Sequence, residues 1–163
     1  MTKKRGNSAT KTVLITGSSS GFGVNIAQAF AQAGYAIILH GRNSKKLKTL
    51  KNKILKEERV TCSLIVADLG NSNGLTAIKK TLRNQKIDIL INNAAVNPEL
   101  GHTDIANDKS NIDTIFSVNT ATAIALCYTA FAHFKTHGSG IIININSVAG
   151  LKGSAHEAVY DAS

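Results

Sequence analysis

The sequence predicts an α/β fold, a parallel sheet doubly wound by helices on both faces. Two observations predict it. Short apolar runs recur along the chain as strand candidates, and helical patterns separate them. The strand candidates are also apolar at nearly every position, as expected of strands buried on both faces. Val13–Thr16 is the first run, Ala36–Leu39 the second, Thr61–Val66 the third, Ile87–Ile91 the fourth and Ile141–Ile145 the fifth. Between the first two, Ile26, Ala27, Phe30, Ala31 and Ala33 form a helical stripe that stops at Gly34, a C-terminal cap. Leu47, Leu50 and Ile54 repeat at helical spacing, and so do Leu75, Ile78 and Leu82. Ile112, Phe116, Ala123, Leu126 and Ala130 mark the longest helix, over 108–136. Asn93–Asp108 is the longest irregular stretch and holds Pro98. After Ile145 another crossover helix is expected, and the sequence reaches Ser163 about where that helix would begin.

Composition bounds the class. The 163 residues are 43% hydrophobic, which suits one globular domain over 11–163 and a basic, flexible tail over 1–10. Cys62 and Cys127 are far apart and in no paired motif, so they read as small core residues rather than a disulfide framework. The apolar runs fall short of the ~20 residues of a membrane helix, and the N-terminus lacks an apolar signal core. A cytoplasmic location and no membrane association are expected.

Lys and Arg number 19 against 10 Asp and Glu, a net charge of +9. Arg42, Lys45, Lys46, Lys48, Lys51, Lys53, Lys56 and Arg59 lie in one stretch opposed by Glu57 and Glu58. A solvated helix face is favoured over a nucleic-acid surface, because no aromatic residues interleave the lysines. His133 and His137 are four apart, but Phe134, Lys135 and Thr136 supply no glutamate base, so no zinc site is expected. They read as polar groups at a helix C-terminus.

The first strand runs into Thr16-Gly17-Ser18-Ser19-Ser20-Gly21-Phe22-Gly23 and then at once into a helix. Such a turn lets the backbone approach a pyrophosphate, and the helix N-terminus offers free N–H groups and positive dipole. The spacing is TGxxxGxG rather than GxGxxG. Asn92 and Asn93 end the fourth apolar run, where doubly wound sheets bind ligands. An acid at the end of the second strand would bond a ribose hydroxyl. Gly41 stands there instead, followed by Arg42. Arg42 reads either as a partner for a 2′-phosphate or as the first charge of the basic helix. Asn119 lies on the apolar stripe of the long helix, and a buried amide there needs partners.

Thr16–Gly23 is similar to the cofactor loop of the short-chain dehydrogenase/reductase family. Ala67-Asp68-Leu69, Asn92-Asn93-Ala94-Ala95, Val118-Asn119-Thr120, and Ser147 with Tyr160 thirteen residues later match further motifs of that family in order. Ala95 replaces a family glycine. The resemblance implies a Rossmann-type sheet of order 3-2-1-4-5. It also implies hydride transfer between a nicotinamide cofactor and a small-molecule carbonyl or alcohol. Gly17, Ser18, Ser19, Ser20, Gly21, Phe22, Gly23, Arg42, Asp68, Leu69, Asn92 and Ala94 would bind the cofactor, with NADP(H) favoured over NAD(H). Against that preference, Ser20 stands where many NADP-using relatives carry a basic residue. Tyr160 would be the proton donor or acceptor, Ser147 would bond the substrate oxygen and Asn119 would hold a relay water. His156 either lines the substrate site or is a loop residue without a role.

The family carries a lysine four residues after the tyrosine, which would be residue 164. An incomplete, C-terminally truncated domain is therefore expected. Tyr160 would then be a weaker base, since a phenol has a pKa near ~10 without a neighbouring ammonium. The fifth strand would be an edge with exposed isoleucines, giving low solubility or requiring a partner. The family is usually homo-oligomeric, and part of its oligomer-forming region would be missing. A nucleotide-binding remnant without catalysis, and a nucleic-acid-binding protein, are the alternatives.

Overall fold

The computed structural model describes residues 10–97, 109–153 and 157–163. Five parallel strands form one sheet in the order β3-β2-β1-β4-β5. They are β1 (Thr12–Ile15), β2 (Ala36–Gly41), β3 (Cys62–Val66), β4 (Ile89–Asn92) and β5 (Ile141–Asn144). Helices α1 (Gly21–Gln32) and α2 (Ser44–Glu57) cover one face, and α3 (Ser72–Asn84) covers the other. Beside α3 runs a continuous helical segment, Lys109–His137. It comprises α4 (Lys109–Ile115), a π-helical stretch Phe116–Thr122, and α5 (Ala123–His137).

The apolar runs of β1, β2 and β4 are continuous because each of these strands feeds two cores. Val13, Ile15, Ile37, Leu39, Ile89 and Ile91 point to α1 and α2. Leu14, Ile38 and Leu90 point to α3 and α5, where they meet Ile78, Leu82, Leu126 and Phe134. Local chemistry sets the helix ends. The Asn43 side chain accepts from Lys46 N–H at 3.0 Å, and that of Asn71 from Gly74 N–H at 2.9 Å, capping α2 and α3. At the end of α1, Gly34 has φ +86°, and Tyr35 N–H reaches back to Phe30 O at 3.1 Å.

The uninterrupted apolar runs are short, as expected, but Lys109–His137 taken whole is a long apolar helix. Its 29 residues are, by length and composition, long and apolar enough to cross a membrane. Scattered polar residues hid this. Here Ile115, Val118, Leu126, Ala130 and Phe134 are buried in the fold. At its own edge of the sheet, β5 buries one face only. Ile142 packs into the second core, whereas Ile141 and Ile143 are exposed. Two short helices, α6 (Ala149–Lys152) and α7 (Ala158–Asp161), pack together after β5. Lys3, Lys4, Arg5, Pro98 and His156 lie outside the described residues.

Candidate functional site

The turn between β1 and α1 is built from the backbone outward. Thr16 is buried, and its hydroxyl accepts from the N–H groups of Asn93 and Ala94, each at 3.0 Å. Asn93 Nδ2 donates in return to Thr16 O at 2.9 Å and Gly17 O at 3.1 Å. These bonds staple the turn to the segment that follows β4. Glycine is required at two points for different reasons. Gly17 has φ +67°, and an added Cβ would sit 2.7 Å from Ala94 Cα. At Gly23 a Cβ would strike Gly17 O and lie 2.6 Å from Asn93 Nδ2.

Above the turn, the first N–H groups of α1 are left open. Ser20 occupies the N-cap without a side-chain cap bond, and no acid lies in the first turn. This contrasts with the asparagine caps of α2 and α3. An uncapped helix start presents unpaired donors and the positive end of the dipole.

A cleft of about 300 Å³ lies over this turn, within the size range of small-molecule sites. It sits at the C-terminal ends of the strands, between β1 and its two neighbours, where strand order reverses. Gly17, Ser19, Ser20 and Phe22 form one wall; Arg42, Asp68, Leu69 and Ala94 form the others. Eight of the residues expected from sequence to bind the cofactor are thus brought together. The cleft also takes in His40, Gly41, Asn93 and Val118. His40 left no signal beyond one polar residue at the end of an apolar run, and Val118 entered only as the neighbour of Asn119 in a motif.

Several expected residues stand elsewhere. Ser18 is fully buried, and its hydroxyl is spent on the backbone of His40, 2.9 Å from N and 3.1 Å from O. Asn92 lies behind the cleft, where its Nδ2 donates to Asn144 Oδ1 at 2.9 Å and to Cys127 Sγ at 3.3 Å. Cys127 is therefore a polar contact at the β4–β5–α5 junction and only half-buried, not the core residue expected. Cys62 is buried, and burial pushes its thiol up to about 11. Gly21 has φ +54° with nothing within 4 Å of an added Cβ, so conformation and not packing favours glycine there.

Asn119 lies in the π-helical stretch. Its amide pairs with the backbone of Val96, accepting from N–H at 2.9 Å and donating to O at 3.0 Å. It also donates to Ser163 Oγ at 3.0 Å, which in turn donates to Tyr160 O at 2.8 Å. Asn97 Nδ2 donates to Glu157 Oε1 at 3.0 Å. The α7 helix that carries Tyr160 is thereby tied to the post-β4 segment at two points. Ser147 is exposed after β5, and its hydroxyl accepts from Ala149 N–H at 3.1 Å. Sequence spacing gave no hint of the π-helical register or of the Ser163 bridge.

His40 is buried and bonded at both ring nitrogens, and burial lowers its pKa to about 4. Far from the cleft, His133 Nε2 lies 3.2 Å from both N and O of Ile87, and His137 Nδ1 lies 2.8 Å from His133 O. Both histidines serve the end of α5. Among the described residues no three His, Cys, Asp or Glu side chains are grouped to hold a metal.

Comparison with known proteins agrees with this geometry. The sequence pattern of the short chain dehydrogenase family matches residues 11–163. Ketoacyl reductase HetN of Nostoc is 35% identical over 155 residues, covering 94% of this chain and 53% of that protein. The bulky-bulky ketone specific alcohol dehydrogenase of Comamonas testosteroni superposes with a TM-score of 0.87 at 32% identity, over 93% of this chain and 61% of that one. A short-chain dehydrogenase of Sphingobium yanoikuyae in complex with NADPH also gives 0.87 at 32% identity, over 93% and 59%. The chain spans about half to three-fifths of the length of these relatives. With its motifs in order around one cleft of one five-stranded sheet, the chain belongs to the short-chain dehydrogenase/reductase family.

Proposed function

We propose that the cleft binds the adenosine and pyrophosphate end of NADP(H), and that the protein is a carbonyl reductase or alcohol dehydrogenase. The carrying observation is the glycine turn stapled to Asn93 beneath an uncapped helix start, with Arg42 lining the same cleft. The backbone around Ser19–Phe22 and the start of α1 would hold the pyrophosphate. Asp68 and Leu69 would bound the adenine, and Ala94 would floor the site. Arg42 would pair with the 2′-phosphate; Gly41 leaves no carboxylate to repel it. The NADPH complex of the Sphingobium relative supports this choice.

When bound, the nicotinamide supplies the hydride. The protein's part is to position the reactants and handle one proton. Tyr160 would give its phenolic proton to the carbonyl oxygen in reduction and take it back in oxidation. Ser147 would hold that oxygen by a hydrogen bond. Asn119 would fix the Val96 segment against α7 and so set the position of Tyr160.

The test is a fluorescence titration of the chain with NADPH and NADH, repeated with Arg42→Ala. NADPH should bind the tighter, and the substitution should weaken NADPH roughly tenfold while leaving NADH nearly unchanged. Equal loss for both would remove the 2′-phosphate role. No binding of either would remove the cofactor reading.

A further inference from the structure

We propose that His40 is a positioning residue for the nucleotide turn, its neutral ring fixing the peptide that leads into the glycine loop. The proposal rests on the dinucleotide reading of the cleft and adds a residue to it. The family motifs quoted above leave position 40 out.

His40 ends an otherwise apolar run, Ile37-Ile38-Leu39, and is 2% exposed. A polar ring so buried must have partners or be costly. Both of its nitrogens are engaged, and in opposite senses. Nδ1 accepts from Gly17 N–H at 3.3 Å. Nε2 lies 3.1 Å from Ala67 O, an atom that can only accept, so Nε2 carries the proton. One ring thus joins the β1 turn to the segment after β3, across the end of β2. An ionised ring would turn a donor toward Gly17 N–H and break that bond.

The neighbouring contacts show why the ring bears on the turn. Ser18 N–H donates to His40 O at 2.8 Å, and the Ser18 hydroxyl bonds His40 N–H and O. Gly41 lies against Ser19. Residues 40 and 41 form a floor under Gly17, Ser18 and Ser19, and only the Gly17 contact is made by a side chain of that floor. Gly17 is in the left-handed region; Asn93 Nδ2 holds the carbonyl oxygens of Thr16 and Gly17, Ser18 N–H bonds His40 O, and the His40 ring takes the remaining Gly17 N–H. By taking the Gly17 N–H inward, His40 leaves Ser19–Phe22 to face the ligand in one arrangement.

Two substitutions separate positioning from packing. In His40→Asn the side-chain oxygen can take the place of Nδ1 and accept from Gly17 N–H, while the reach to Ala67 is lost. In His40→Gln the amide can reach Ala67 O, while the Gly17 acceptor is lost. The measurements are NADPH titration, thermal unfolding, and hydrogen exchange of the Gly17 amide. His40→Asn should stay within about twofold of the unsubstituted protein, and His40→Gln should bind NADPH roughly five- to tenfold more weakly. Gly17 exchange should be slow in the first and fast in the second, with similar melting temperatures.

Equal binding and equal Gly17 exchange in the two folded variants would overturn the proposal. Should either variant fail to fold, the nitrogen chemical shifts of His40 in the unsubstituted protein decide instead. An unprotonated, hydrogen-bonded Nδ1 supports the proposal and a protonated Nδ1 overturns it. If the protein binds no NADPH at all, the cofactor reading fails, and the Gly17 exchange comparison still judges the role of His40 in the turn.

Discussion

Gly41 and Ser19 lie so close that a Cβ added to Gly41 would sit 2.8 Å from Ser19 Oγ and 2.9 Å from Ser19 Cβ. The position that would hold a ribose-binding acid is therefore closed by packing, not only by the choice of residue. Gly41→Asp alone should not transfer preference to NADH and should weaken both nucleotides, because Ser19 must move. Adding Ser19→Gly removes the clash, and the double variant should gain NADH affinity relative to Gly41→Asp. Titrations of the three proteins with both nucleotides check this.

The glycines of the turn should differ in cost. In Gly23→Ala the new methyl meets Gly17 O and Asn93 Nδ2, both held in the staple. A loss of about 1–3 kcal/mol in stability is expected, together with loss of NADPH binding. Gly21→Ala meets no atom within 4 Å and bears only the cost of φ +54°, roughly 1–2 kcal/mol. Urea unfolding should show both losses, while NADPH affinity should fall much further in Gly23→Ala.

Acidification should weaken the fold through His40. Burial holds its pKa at about 4, against an ordinary 6.5. The unfolded chain therefore binds a proton between these values that the folded chain refuses. The stability is fully present above pH 6.5 and is lost as pH falls toward 4, by roughly 3 kcal/mol in total. Burial lowers His133 in the same direction, with His137 adding to it. Urea midpoints at pH 7.5, 6 and 5 should fall in that order, and the slope should be shallower in His40→Asn.

The exposed face of β5 should govern association. Ile141 and Ile143 are 53% and 36% exposed on a strand whose other face is packed. Apolar strand edges of this kind promote pairing between chains. Ile141→Thr with Ile143→Thr should raise the concentration at which light scattering appears, with little change in melting temperature.

Much of this was legible in the sequence, for identifiable reasons. The two-faced burial of Val13–Ile15, Ile37–Leu39 and Ile89–Ile91 makes unbroken apolar runs, so the parallel sheet could be read directly. Gly17 and Gly23 stood out because their lack of a side chain is itself the signal. What was not legible depends on partners distant in sequence. Ser18 belongs to the same motif, yet its hydroxyl faces His40 rather than the cleft. Asn92 and Asn93 are adjacent, but strand alternation sends one behind the sheet end and the other into the turn. The apolar stripe through Asn119 marked a helix but not its π-helical register.

The most direct test of the central claim is an amide NMR map of the chain titrated with NADPH. The account predicts that Gly17, Ser19, Ser20, Phe22, Arg42, Asp68 and Leu69 shift together and saturate. Lys53 and Lys56, further along the basic helix α2, should stay in place. Shifts spread along α2 with the glycine turn unmoved would contradict the account and mark the basic helix as an anion surface instead.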